Sequence, residues 1–241
     1  MSMNLNELES FKRHWITKTA NIPPRFFGMD AQTILEDTGA FPKKIDEWLD
    51  EVMDGKIIRN VGGIGTTGVG LLFDGAPGLG KTTHAIVTLM ELVRRLPADK
   101  NDAVRLLKAD PADYSLNSRP IYYLTYPEFL ARKKAMFEAD NDTRRDMYRE
   151  MEGFHGRAKE DHLNVRVLIL DDLGKEYKGN GYNDASFDEL LRSRYDKALP
   201  TIVTTNVDRD NWAGQYGSAM GSFVFEAFRQ VVLTGKDLRK G

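Results

Sequence analysis

Gly75-Ala76-Pro77-Gly78-Leu79-Gly80-Lys81-Thr82 is the stretch on which the fold turns. It fits G-x-x-x-x-G-K-[ST] at every fixed position. With glycine at about 7% of residues, a chance match somewhere in a chain this long has a probability on the order of 1%. The glycines let backbone N–H groups wrap phosphate oxygens, Lys81 reaches the β- and γ-phosphates, and the Thr82 hydroxyl takes Mg²⁺. Gly75, Pro77, Gly78, Leu79, Gly80 and Thr83 complete the expected phosphate-binding loop. The apolar run Val69 to Phe73 reads as a strand before the loop. Lys81 to Leu96 reads as a helix after it, with Ile86, Leu89, Met90 and Val93 on the inner face and a dipole that favours an anion at the N-terminus.

Ninety residues beyond Lys81 stands Val167-Leu168-Ile169-Leu170-Asp171-Asp172-Leu173-Gly174. Four apolar residues ending in two acids put carboxylates at the carboxyl end of a buried strand, where an open α/β sheet binds its ligand. Asp171 is then the candidate for the Mg²⁺ shell and Asp172 the candidate for polarising an attacking water. Acids at strand ends are often no more than caps, so the pair takes its meaning from the loop upstream. Thr201-Ile202-Val203-Thr204-Thr205-Asn206 is a third strand with a polar tip, and Asn206 there is placed to bond the γ-phosphate or the water. Asparagine also commonly closes a strand into a turn. Gly63-Ile64-Gly65-Thr66-Thr67-Gly68 matches the dinucleotide fingerprint G-x-G-x-x-G. It leads into a strand rather than following one, which argues for a linker.

Further out, Leu5, Leu8, Phe11 and Trp15 make one face of an amphipathic helix over residues 4–19, ended by Pro23-Pro24. Ile22 to Asp30 reads as an extended loop, Lys43 to Met53 as a helix, and 97–118 as a polar surface insertion. Strands are expected at Ile121–Thr125, Val165–Leu170, Thr201–Thr205 and Val231–Leu233. Helices are expected from Pro127 to about Asp161, from Asp184 to Lys197 and from Ser222 to Arg229. Strands alternating with helices, and reading as continuous apolar runs, predict an α/β fold with a parallel sheet covered on both faces.

Composition narrows the function. The 241 residues carry 34 Lys+Arg against 36 Asp+Glu, no cysteine and four histidines. Disulfides, zinc ribbons and thiol catalysis are excluded. The near-neutral balance argues against a protein coated in basic residues for nucleic acid, while leaving room for a local patch. No apolar run approaches a membrane span and the N-terminus has no apolar signal region, so the expectation is a cytoplasmic protein with no membrane partner.

GAPGLGKTT, LILDDLG and TIVTTN, preceded by IPPRFFGMD and with ELLRSRYDKALP between the last two, resemble the AAA+ ATPases of the DnaC helicase-loader and IstB transposition-helper group. The resemblance runs from about Ile22 to Arg239. It implies a P-loop NTPase of AAA+ type, a parallel sheet flanked by helices. The nucleotide core would span residues 21–241, without a C-terminal helical lid and with insertions near 97–118 and 128–160. Residues 1–20 would form a helix that docks on this core or binds a partner. By the resemblance Asn206 is the sensor 1 residue, and Arg229, expected in the helix before the final strand, is the arginine finger reaching a neighbouring subunit's γ-phosphate. Phe225 stands where related loaders often carry a second arginine. Arg194 is a lesser candidate for a contact in trans, equally well explained as a partly buried structural arginine.

A finger acting in trans implies a homo-oligomer, and the group implies a replicative DnaB-type helicase and single-stranded DNA as partners. Residues 128–160 are where such loaders insert helices that touch single-stranded DNA. Arg132, Lys133, Lys134, Arg144, Arg145, Arg149, Arg157 and Lys159 are balanced there by eight acids. A salt-bridged helical face and a DNA track fit that balance equally, and Phe137, Tyr148 and Phe154 fit either base stacking or a hairpin core. The expected activity is slow, partner- or DNA-stimulated ATP hydrolysis. Other readings are an IstB-like helper assembling on duplex DNA, a small-molecule phosphotransferase, and an ATP-gated binding module with negligible turnover.

Overall fold

The computed structural model describes residues 4–57, 67–115, 117–174 and 181–235, without the side chains of 181–184. Five strands form one sheet: β1 (Gly70–Asp74), β2 (Ile121–Thr125), β3 (Val167–Leu173), β4 (Thr201–Thr205) and β5 (Phe228–Val232). They lie in the order β2-β3-β4-β1-β5, every neighbouring pair parallel. Ten α-helices accompany them among the described residues: α1 (Ser10–His14), α2 (Ala31–Thr38), α3 (Lys43–Met53), α4 (Lys81–Arg95), α5 (Lys100–Leu106), α6 (Tyr126–Glu138), α7 (Asn141–Phe154), α8 (Gly181–Asp196), α9 (Trp212–Tyr216) and α10 (Ser218–Ala227).

Side chains alternate across a strand, so a sheet apolar at every position must bury both faces. Leu71, Phe73, Ile121, Tyr123, Val167, Ile169 and Ile202 face one core with α3, α4, α5 and the N-terminal segment. Leu72, Tyr122, Leu124, Leu168, Leu170 and Val203 face a second core, filled by α6 to α10.

The N-terminal segment docks on the first core. Trp15, Ile16 and Ala20 are buried in it, and Leu5, Leu8 and Phe11 pack against it from partly exposed positions. It is not one continuous helix: a short 3₁₀ turn at Leu5–Glu7, α1 and a π-helical turn at Trp15–Thr19 follow one another. Lys12 anchors it. Its buried Nζ donates to the Leu96 carbonyl at 2.7 Å, filling one of the acceptors left open at the C-terminal end of α4, and pairs with Glu9 at 3.0 Å.

Several expected elements shift. Residues 97–118 are not a plain surface insertion: α5, capped by Asp99, buries Ala103, Val104 and Leu106. α2 follows the Ile22–Asp30 loop through a capping box of Asp30 and Thr33 and ends at Gly39, whose φ of +80° is the left-handed stop. The charged region from Pro127 is two helices, α6 and α7, and α10 ends at Ala227 so that the last strand begins at Phe228. Of the Gly63–Gly68 stretch, residues 63–66 lie outside the described residues, while Thr67 and Gly68 lead into β1.

His155, just past α7, supplies a measurable pH dependence. Its ring is buried against Phe129, its Nδ1 has no hydrogen-bond partner, and burial pulls its pKa down to about 4. Glu189 opposes that pull, while Arg157, Lys133 and Arg194 add to it. A histidine depressed in the folded state binds fewer protons than the unfolded chain, so its contribution is complete above about pH 6.5 and fades as pH falls toward 4. Urea titrations should therefore show the protein losing about 2 kcal/mol more between pH 7 and pH 5 than His155→Leu does. Parallel losses in the two proteins would refute this.

Candidate nucleotide-binding site

The loop after β1 is shaped by backbone geometry before any side chain acts. Gly75, Gly78 and Gly80 have φ of +140°, +88° and +74°. A Cβ on Gly75 would stand 2.6 Å from the Leu233 carbonyl oxygen, so the first glycine of the motif is required by the close pass of the chain beyond β5. The N-terminus of α4 then opens onto a cleft of 520 Å³. Pro77, Gly78, Gly80, Lys81, Thr82 and Thr83 line it from the loop, and Asp172 and Asn206 line it from the ends of β3 and β4. Leu79 turns away and packs on the first core. Lys81 lies over its own loop, its Nζ donating to the Gly75 carbonyl at 2.7 Å and to that of Ala76 at 2.9 Å.

Behind this rim sits Asp171, 2% exposed at its residue level and surrounded by hydroxyls. Thr82 Oγ1 donates to its carboxylate at 2.9 Å, Tyr123 Oη donates at 2.8 Å, and Thr204 Oγ1 also donates. Burial and the Asp171 charge both push the Tyr123 phenol upward, which keeps it a donor at neutral pH. Since Thr82 spends its proton on Asp171, its oxygen lone pairs are left for a cation. One hydroxyl and one carboxylate fit Mg²⁺, which takes few protein ligands and completes its octahedron with phosphates and water. Among the described residues no cluster of three or more His, Cys, Asp or Glu could make an all-protein metal cage.

Consecutive strand residues point to opposite faces, yet Asp171 and Asp172 both serve this end of the sheet. A bulge makes that possible. The β3–β4 register shifts between Leu170 and Leu173, and Asp172 has φ +62°. Its amide donates to Thr204 Oγ1 at 3.0 Å. The strand therefore runs on to Leu173 instead of stopping at Leu170, and the extra residue re-aims a carboxylate, as bulges beside functional sites commonly do. Asn206, at the exposed tip of β4, makes no side-chain hydrogen bond among the described residues.

Two solved structures match the chain over nearly their whole lengths. One is the DnaC helicase loader, at 18% identity and a TM-score of 0.54, with 88% of this chain and 100% of that one covered. The other is DnaI, at 19% identity and a TM-score of 0.56, with 94% and 98% covered. This chain has the fold of those proteins. No family model matches it, and no curated protein matches it by sequence.

Within this fold, the two candidate arginines are held by their own chain. Arg229 is on β5, paired with Leu71 of β1, and not in the helix before that strand; its guanidinium pairs with Glu51 of α3. Arg194 is fully buried and structural, which removes it as a contact in trans. Its five N–H groups donate to Thr201 Oγ1 and to the carbonyls of Phe154, Val165, Arg166 and Pro200, at 2.7 to 3.2 Å. Burial pulls the guanidinium down to about 9, still charged at neutral pH.

Several charges on and around α6 and α7 are spent in ion pairs, some within these helices and some with neighbouring segments. Arg132 and Arg119 share Glu150, Arg149 pairs with Glu160, and Lys133 and Arg157 pair with Glu189. Arg144 donates to the Ala139 carbonyl at 2.7 Å. Phe154 is core, whereas Phe137 and Tyr148 are exposed. Among the described residues no helix is long and apolar enough to cross a membrane.

Sequence reasoning did not single out Tyr123 and Thr204, which clasp Asp171, or Arg25 and Phe26, which also line the cleft. Polar residues embedded in otherwise apolar strands, Tyr123 in IYYLT and Thr204 in TIVTT, are the signal that would have found the first two.

Proposed function

We propose that the protein binds ATP with Mg²⁺, hydrolyses it slowly, and acts in DNA replication as an oligomeric helicase loader. The observation that carries the nucleotide part is one cleft shared by Lys81, Thr82 hydrogen-bonded to Asp171, Asp172 and Asn206. In this reading the loop amides and Lys81 hold the triphosphate. Thr82, with Asp171 behind it, holds the metal, which neutralises phosphate charge when bound. Asp172 and Asn206 orient water for attack on the γ-phosphorus, Asp172 accepting its proton.

The loader part is supported by the shared fold with DnaC and DnaI across most of the chain. It carries with it a DnaB-type helicase and single-stranded DNA as partners. The exposed rings of Phe137 and Tyr148 on these helices, and Lys134, Arg145 and Lys159, which form no ion pair among the described residues, are the aromatic and basic groups a single strand would use. Arg229 acts in trans only if it exchanges Glu51 for a neighbour's phosphate, and this ties oligomer formation to the edge strand β5.

Phosphate release from ATP with no acceptor added tests the reading. Turnover should appear without acceptor, and Lys81→Ala should weaken ATP binding roughly 10- to 100-fold, the worth of a lost charged hydrogen bond. Turnover that requires a small-molecule acceptor would instead make the protein a phosphotransferase. Preference for duplex over single-stranded DNA would favour a transposition-helper role over a loader.

A further inference from the structure

The segment leading to α2 brings a cation to the cleft that none of the roles above uses. The Ala20 carbonyl accepts from the Tyr123 amide at 2.7 Å, and Asn21 Nδ2 donates to the Tyr123 carbonyl at 3.0 Å. These two bonds lay residues 20–21 along the outer edge of β2. Pro23 and Pro24 fix the backbone of the next step, and a single 3₁₀ turn, Pro24–Phe26, follows. Phe26 is buried in the first core, while Arg25 is exposed, its guanidinium carbon 4.8 Å from the centre of the Phe26 ring.

Arg25 lines the same cleft as Lys81, Thr82, Asp172 and Asn206. Among the described residues no carboxylate pairs with it and no acceptor takes its N–H groups. A guanidinium stacked on one ring keeps its in-plane N–H fork available for phosphate oxygens.

We propose that Arg25 is a nucleotide ligand supplied in cis by the N-terminal segment, taking the terminal phosphates of the nucleoside triphosphate that Lys81 and the loop amides hold. This rests on the nucleotide reading above and deepens it. The ligand then touches a residue whose chain continues directly into the segment anchored by Lys12 at the far end of α4, so the triphosphate is joined to both ends of that helix.

Affinities for ATP, ADP and AMP, measured by displacement of a fluorescent ATP analogue, test it in the unaltered protein, Arg25→Ala, Arg25→Lys and Lys81→Ala. Arg25→Ala should lose about tenfold for ATP and little for AMP, with Arg25→Lys between the two. Thermal unfolding without nucleotide should be unchanged, since the side chain is exposed. Unchanged ATP affinity in Arg25→Ala, while Lys81→Ala weakens binding, would overturn the proposal and leave the nucleotide site standing. An equal loss for ATP and AMP would also overturn it, because the contact would then be to the nucleoside. Failure of the unaltered protein to bind ATP would bring down the nucleotide reading and this inference together.

Discussion

Asp172→Asn should lower ATP turnover by roughly 10²- to 10⁴-fold while leaving ATP affinity close to that of the unaltered protein. The substitution changes one oxygen to an amide nitrogen, and so removes the proton acceptor without removing volume. It is also matched to the backbone: Asp172 has φ +62°, a region that asparagine tolerates better than other replacements. Asp172→Ala would mix lost chemistry with strain. In the asparagine variant the bulge, the amide bond to Thr204 and the neighbouring Asp171 cluster should all persist. Single-turnover phosphate release, paired with nucleotide titration, separates the two quantities. Turnover within threefold of the parent would reassign the base, and a collapse of ATP binding would mean that Asp172 holds the ligand rather than the water.

Arg194→Ala should bring the protein to the edge of unfolding. All five donors of this side chain are used, and four of the acceptors are carbonyls buried where α7, the approach to β3 and the start of β4 meet. The Pro200 carbonyl keeps the Leu168 amide at 3.3 Å, but truncation takes the side-chain donor from the carbonyls of Phe154, Val165 and Arg166, at about 1–3 kcal/mol for each one that cannot find a new partner, and opens a cavity as well. Even with partial relaxation the loss should exceed about 4 kcal/mol, against a total stability of about 5–15 kcal/mol for a domain. Arg194→Lys has three donors for five acceptors and should fall between. Urea midpoints and soluble yield read the effect. A folded variant of near-parent stability that fails only in ATP turnover would return Arg194 to a role between subunits.

What could be read in advance follows from how local each signal is. β2 and β4 carry the bounds expected of Ile121–Thr125 and Thr201–Thr205, and α3 those of Lys43–Met53, because the apolar period and the flanking breakers lie within each segment. The loop, Asp172 and Asn206 were legible for the same reason: the motif is contiguous or sits at a strand tip. β3 begins two residues after the expected Val165 and ends three after the expected Leu170, since its last three residues are polar or lie beyond the bulge, and a bulge is a property of two strands together. α2 buries only Ile34, too little for a period to show. Arg194 illustrates the remaining limit. Its place on the edge of an apolar face suggested burial, but its acceptors come from three distant segments, and only the folded chain brings them within reach.

β1, which ends at the phosphate loop, pairs only with β4 and β5, the two strands nearest the C-terminus. During synthesis at about 5–20 residues per second, roughly 6–24 seconds pass between the emergence of the loop and that of its first strand neighbour. Such long-range pairing is the slow kind, since the loop-closure entropy must be met before contacts form. A nucleotide bound at this loop would therefore find no paired strand behind it during the early stages of folding. A nascent chain halted before residue 201 would carry an intact motif on a strand with no sheet to join, so the stretch that declares the fold first is among the last to be built into it.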